Sequence, residues 1–335
     1  MKLTKLRSHW QSLCYGYSAS LAESLLFFLA FITISAPAWA DPPPGTGVRL
    51  DEYGDRFEQR RWRYNNNNPK LENQHSDSGS GLTNNIRNQN NPLGRSANGR
   101  WIEGTVRGQP DIVRRVRRPI GGLRRSRYAL RLQTRNSGTP GVTEGTLQQD
   151  DLLNQANGNL FANRPLGKGL SVTTRIYLPK LSKWEDRNGC HLGFRVSASG
   201  HKANGDLLDY WPGIWICFNN GGEGKDHFRF SVRANNEGND VWATEKTYTR
   251  VGWWTLGMSF NADGSISYYA SPGVDDLTAE DLLVFRTDSG SAPATYKPYG
   301  IEFDNLDFVF FSLANIDGQW STEFVIDDLS VYEIR

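Results

Sequence analysis

Arginine recurs in this chain at positions that alternate with apolar residues, and aromatic residues stand close by. Arg131 and Gln133 alternate with Leu130 and Leu132, Arg175 and Tyr177 with Ile176 and Leu178, and His191 and Arg195 with Leu192, Phe194 and Val196. Trp215 opposes Ile214 and Ile216 in the same way, and Arg229 and Arg233 oppose Phe228, Phe230 and Val232. Side chains of an extended strand point to opposite faces in turn. If these segments belong to one sheet, its non-core face collects the arginines with Gln133, Tyr177, His191 and Trp215. Sugars suit such a face, because rings cover their C–H patches and guanidinium forks pair with uronate or sulfate. The same alternation also describes an ordinary half-solvated sheet with arginine outward. In DYWPGIW (209–215), Tyr210 and Trp211 beside a Pro-Gly turn are either a binding platform or a plug for one end of the core, and Trp184 is a weaker candidate of the same kind.

The elements that must hold these residues read as strands. The segment GWWTLGMSFNADGSISYYASPG (252–273) puts Trp254, Leu256, Met258 and Phe260 on one face, turns at Asn261-Ala-Asp-Gly264, and resumes with Ile266 and Tyr268, which is an antiparallel hairpin. Further strands are predicted over 101–106, 111–117, 126–134, 170–178, 189–197, 213–219, 227–234, 306–314 and 322–334, separated by Gly- and Pro-containing turns. A short helix is predicted over 275–283, and no βαβ alternation or internal repeat occurs. The fold class is therefore all-β, with two antiparallel sheets packed face to face.

The ends of the chain have a different character. Lys2, Lys5 and Arg7 precede an apolar run at 25–34, and Ala38-Trp-Ala40 follows, so residues 1–40 read as a signal peptide and the product as exported: secreted, periplasmic or at the cell surface. The apolar run is about half the length that a membrane span needs, and no transmembrane segment is expected after cleavage. Residues 41–96, rich in Asn, Pro and Arg with few aliphatics, read as a disordered leader, and the folded domain as 97–335. Cys190 and Cys217 either form one disulfide or stay as two buried thiols. A net charge of +2 and export disfavour nucleic acid as a partner, while Arg114–Arg118 and Arg124–Arg127 suit an acidic glycan or an anionic envelope.

In order along the chain, GLRRSRYALRLQT (122–134), the 252–273 hairpin and the closing FVIDDLSVYEIR (324–335) resemble strands of the concanavalin A-like lectin and glucanase superfamily, including laminin-G-like jelly rolls. The resemblance covers about residues 97–335 and implies a jelly-roll β-sandwich that binds a polysaccharide, with anionic ones among the candidates, without catalysis of its own and with no required cofactor. It also implies a structural calcium at Asp327, for which one strand supplies only one or two of six to eight oxygens, or a backbone-satisfied carboxylate there instead. The enzymatic alternative is a polysaccharide lyase or another glycan-cleaving jelly roll. In the lyase, Arg131, Gln133 and Arg195 would neutralise a uronate, while His191 and Tyr177 move protons. A Gln-x-His strand that such lyases show is missing. In IEFDNLD (301–307), the carboxylate spacing of jelly-roll glucanases is only approached, and a loop entering the 306–314 strand is the better account. A protein-binding surface module is the third class.

Overall fold

The computed structural model describes residues 42–65, 94–104, 109–135, 137, 149–154, 169–201, 204–221, 226–233, 240–243, 246–261, 265–287, 290–293, 295–296, 302–316 and 318–334. The signal segment 1–40, residues 66–93 of the expected leader, positions 105–106 of the first expected strand and the hairpin tip 262–264 lie outside them.

The strands are β1 (Val48–Arg49), β2 (Tyr64–Asn65), β3 (Arg95–Ser96), β4 (Trp101–Glu103), β5 (Ile112–Arg117), β6 (Tyr128–Gln133), β7 (Gln149–Asn154), β8 (Leu170–Leu178), β9 (Gly189–His201) and β10 (Leu207–Tyr210). The second half adds β11 (Gly213–Asn219), β12 (His227–Arg233), β13 (Asp240–Trp242), β14 (Gly252–Phe260), β15 (Ile266–Pro272), β16 (Val284–Thr287), β17 (Gly290–Pro293), β18 (Thr295–Tyr296), β19 (Glu302–Ala314) and β20 (Phe324–Glu333). Sheet I runs β18-β15-β14-β8-β20-β6-β5, with β1 also on β20. Sheet II runs β13-β12-β11-β9-β19-β7-β4-β3-β2, with β10 on β9. Strands β16 and β17 pair separately.

Period two builds the core. Val172, Ile176, Leu256, Met258, Ile326 and Val331 from sheet I meet Leu192, Phe194, Ile214, Phe230, Phe311 and Leu313 from sheet II, all fully buried or nearly so. Burying one such side chain contributes about 1.5–3 kcal/mol. The opening hairpin is present as the β14–β15 pair, from Trp254 opposite Pro272 to Phe260 opposite Ile266. Cys190 and Cys217 are directly opposed on β9 and β11 and form a disulfide.

Three expectations need correction. Residues 42–65 are not a leader: Asp41–Arg335 is one compact unit, in which β1 pairs with β20 and Phe57 and Trp62 enter the core. The buried Asp55 carboxylate holds this segment, accepting the Phe57 N–H (2.8 Å), the indole N–H of Trp62 (3.0 Å) and of Trp101 (2.9 Å), and Asn98 Nδ2 (2.9 Å). Counting aliphatics misses a segment fixed by one carboxylate and aromatic rings. The helix over 275–283 contracts to a 3-10 turn, Ala279–Asp281, whose Asp281 carboxylate accepts the Thr278 N–H and hydroxyl. Residues 302–305 are strand and not loop, and the β19–β9 register shifts at Phe303/Asn305 and Leu306/Phe308.

Candidate anion-binding cavity

The IDDL segment decides the chemistry of the outer face of sheet I. The β20–β8 register shifts between Asp327 and Ser330, and Asp328 takes a left-handed backbone with φ 49°. Aspartate tolerates that conformation because its short side chain bonds locally, here with the Ser330 hydroxyl donating to Oδ1 at 3.2 Å. A bulge re-aims side chains, and this one presents the Asp328 carboxylate to three guanidiniums. Arg175 Nη1 lies at 2.7 Å, Arg49 Nη1 at 2.9 Å and Arg56 Nε at 3.1 Å. Arg175 also reaches exposed Asp276 through Nη2 at 2.7 Å. The neighbouring Asp327 carboxyl is buried, accepts the Asp328 N–H at 2.8 Å, and is pushed up to about 7 by burial, with the Asp328 charge adding to the shift.

Above this cluster opens a cavity of about 540 Å³ whose lining includes Arg49, Arg56, Arg124, Arg125 and Arg175 with Asp275, Asp276 and Asp328. Five guanidiniums thus face three carboxylates. Arg124 and Arg125 are exposed and make no ion pair among the described residues. Fixed and free guanidiniums around one concavity suit carboxylate or sulfate groups, which they bind bidentately. A smaller cavity of about 170 Å³ shares Arg49 and Arg56 and adds Arg100.

The single groove expected from the sequence divides between the two sheets. Arg175 lines the cavity, and Tyr177, on the same strand and face, packs its ring at 5.6 Å from Trp253. Arg131 and Gln133 share that sheet face but are knit into its surface: Arg131 lies 3.0 Å from Glu323, and Gln133 Nε2 donates to the Ser321 carbonyl at 3.0 Å.

Arg195, Trp215 and Arg229 lie on the outer face of sheet II instead. Trp215 lies flat across Gly193, where a Cβ would come within 2.7 Å of its ring, and Arg195 lies across Gly213, where a Cβ would meet Cγ at 2.5 Å. The Arg195 guanidinium sits 5.0 Å from the centroids of both Trp215 and Phe310, and donates through Nη2 to the Trp211 carbonyl at 3.2 Å. This layer is closed to solvent, with Trp215 only 2% and Arg195 3% exposed. Arg229 stacks over Trp242 at 4.4 Å. Arg233 spends its fork on Asp240, at 3.0 and 3.2 Å.

Two aromatic candidates and the histidine face inward. The β9 bulge beside Cys190 turns His191 into the core, 5.5 Å from Trp184 and 5.7 Å from Phe218. Its Nδ1 pairs with Thr322 Oγ1 and its Nε2 with the Arg187 carbonyl, each at 2.8 Å. Burial, helped by the Arg187 charge, lowers its pKa to about 3. Buried and hydrogen-bonded on both ring nitrogens, His191 does not face a ligand at the surface, which takes it out of the lyase arrangement. Tyr210 is in the core with its hydroxyl donating to the Arg233 carbonyl at 2.8 Å, and Trp184 is core as well, so both are plugs, whereas Trp211 remains 39% exposed. The surroundings of Asp327 do not fit calcium, since the adjacent carboxylate is already neutralised by three guanidiniums, and no group of three His, Cys, Asp or Glu gathers among the described residues.

Sequence reasoning missed Arg49 and Arg56, which it assigned to a leader, and Asp328. The adjacent acids inside an otherwise apolar strand, FVIDDLSV, were the available signal, since two successive carboxylates cannot both follow the alternation without a bulge.

No protein-family model and no curated protein sequence matches this chain. Among solved structures it is similar to a carbohydrate esterase from Shiga toxin-encoding bacteriophage phi24B, with 14% identity, a TM-score of 0.41, and 71% of this chain and 91% of that chain covered. It is also similar to an alginate lyase in complex with alginate tetrasaccharide, with 10% identity, a TM-score of 0.36, and coverage of 62% and 81%. A legume lectin-like domain from Entamoeba histolytica shows 12% identity, a TM-score of 0.33, and coverage of 70% and 91%. At such identities and superpositions none of them bears on the activity of this chain. By its own strand order and register, the chain is an all-β sandwich of two antiparallel sheets, consistent with a jelly roll.

Proposed function

We propose that this protein is an exported carbohydrate-binding protein that holds an acidic polysaccharide in the arginine-lined cavity of sheet I and does not cleave it. The observation that carries the reading is the cavity itself, where Arg124 and Arg125, without an ion pair among the described residues, join Arg175, which Asp328 holds in place. A uronate or sulfate gives those two guanidiniums their partners, and Leu123, Val274 and Tyr332 supply apolar wall for sugar C–H faces. Export is supported by the basic, apolar and Ala-x-Ala succession at the N-terminus and by the Cys190–Cys217 disulfide, which persists in oxidising compartments.

The test is retention in affinity gels containing alginate, polygalacturonate or heparin, with a neutral glucan as control. The double variant Arg124→Ala/Arg125→Ala should lose roughly tenfold or more in affinity for the acidic polymers, as one or two charge-assisted bonds disappear. Equal retention by the neutral glucan, or an unaffected double variant, would defeat the proposal. Unsaturated uronate products appearing in ultraviolet absorbance would overturn the non-catalytic part and restore the lyase.

A further inference from the structure

The β5–β6 hairpin lends Arg124 and Arg125 to the cavity, and beyond them it has a second character. Between residues 112 and 128 it carries seven arginines and no acidic residue, and Arg114, Arg117, Arg124, Arg125 and Arg127 are exposed. At its tip Ile120 is 98% exposed. That tip is held in place. Arg118 N–H donates to the Arg127 carbonyl at 3.1 Å, closing the loop, and Arg118 Nε donates to the Ser126 carbonyl at 2.7 Å. The Trp253 indole N–H is shared between the Pro119 and Ile120 carbonyls, at 3.4 and 3.2 Å, and Gly121 supplies the positive φ of 85° that the turn requires. Strand β5 is the last in its sheet, so the hairpin forms a rim that a flat surface can approach.

We propose that this hairpin docks on an anionic lipid bilayer, with Ile120 entering the interface and the surrounding arginines pairing with headgroup phosphates. Charge complementarity selects an anionic surface, and the tip selects a bilayer among such surfaces. A hydrated polyanion gains nothing from a protruding aliphatic side chain, whereas an interfacial region takes up the apolar group while basic residues remain at the headgroups. Docking of this kind would keep the protein at a membrane surface, and what separates it from the cavity reading is Ile120, which does not line the cavity.

The experiment is co-sedimentation of the protein, starting at residue 41, with phosphatidylcholine vesicles and with vesicles containing phosphatidylglycerol. Binding is expected only to the latter and should weaken with salt. Ile120→Ser should weaken it roughly tenfold, and Arg114→Gln or Arg117→Gln roughly fivefold each. Because Ile120 does not line the cavity, Ile120→Ser should leave retention on acidic polysaccharide gels unchanged, which separates failure of docking from failure of the cavity. Vesicle binding equal to wild type in Ile120→Ser would show attraction by charge alone and overturn the proposal, as would equal binding to uncharged vesicles.

Discussion

The outer faces of the two sheets carry the same residue types and use them in opposite ways. On sheet I, Arg49, Arg56 and Arg175 converge on one carboxylate that a β-bulge has pushed toward them, and the cavity above stays open. On sheet II, Arg195 lies flat on Trp215 and Phe310, and glycines on the neighbouring strands make the room. The first face is organised by charge and remains available to an anion, while on the second the Arg195–Trp215 layer is organised by packing and is closed. Alternation alone selects a face; what stands on the adjacent strand decides whether an arginine becomes a ligand group or a lid.

The largest way to break this contrast is Asp328→Ala. Removing the shared carboxylate leaves three guanidiniums facing one another, and the cost should be about 3–5 kcal/mol in urea unfolding, as for other buried pairs that lose one partner. A loss below about 1 kcal/mol would mean that the cluster is not a structural centre.

On the other face the corresponding substitution is Gly193→Ala. Its Cβ would press on the Trp215 ring, and overpacking of this kind costs about 1–3 kcal/mol. Adding Trp215→Leu should recover part of that cost, since the clash partner is gone. If the double variant is no more stable than the single one, the flat stacking of Trp215 is not what the glycine is for.

A third test sharpens the charge side and is read as a slope per pH unit. The Asp327 pKa is raised in the fold from 3.8 to about 7, so its contribution to stability is present below 3.8 and is lost as pH rises through about 7. His191 is lowered from 6.5 to about 3, so its contribution is present above 6.5 and is lost as pH falls toward 3. Between these limits the two slopes oppose. Asp327→Asn removes the first, and the stability of the variant relative to wild type should rise by about 1.4 kcal/mol per pH unit from about pH 4 to 7. A difference that stays level across that range would place the Asp327 pKa near its ordinary value.

Much of the fold was legible from periodicity. Strands β8, β9, β11, β12, β14 and β15 lie where alternation put them, because a half-buried strand must segregate its apolar side chains to one face. The candidate site was legible only in part. Arg175 was selected for the right reason, its parity on β8, and Arg124 and Arg125 were visible as a charge run. Arg49 and Arg56 were not, because what anchors their segment is the buried Asp55 and its four donors, which no apolar count reveals.

By itself, then, the sequence determined that the chain pairs strands, which face of each is apolar, and where its arginines accumulate, since these follow from local chemistry and from the fixed alternation of side chains. Tertiary structure alone decided which strands share a sheet, that bulges turn His191 inward and Asp328 toward the arginines, and that the expected groove divides into one open and one closed face. Those outcomes depend on long-range register, and a shift of one residue exchanges the two faces of a strand.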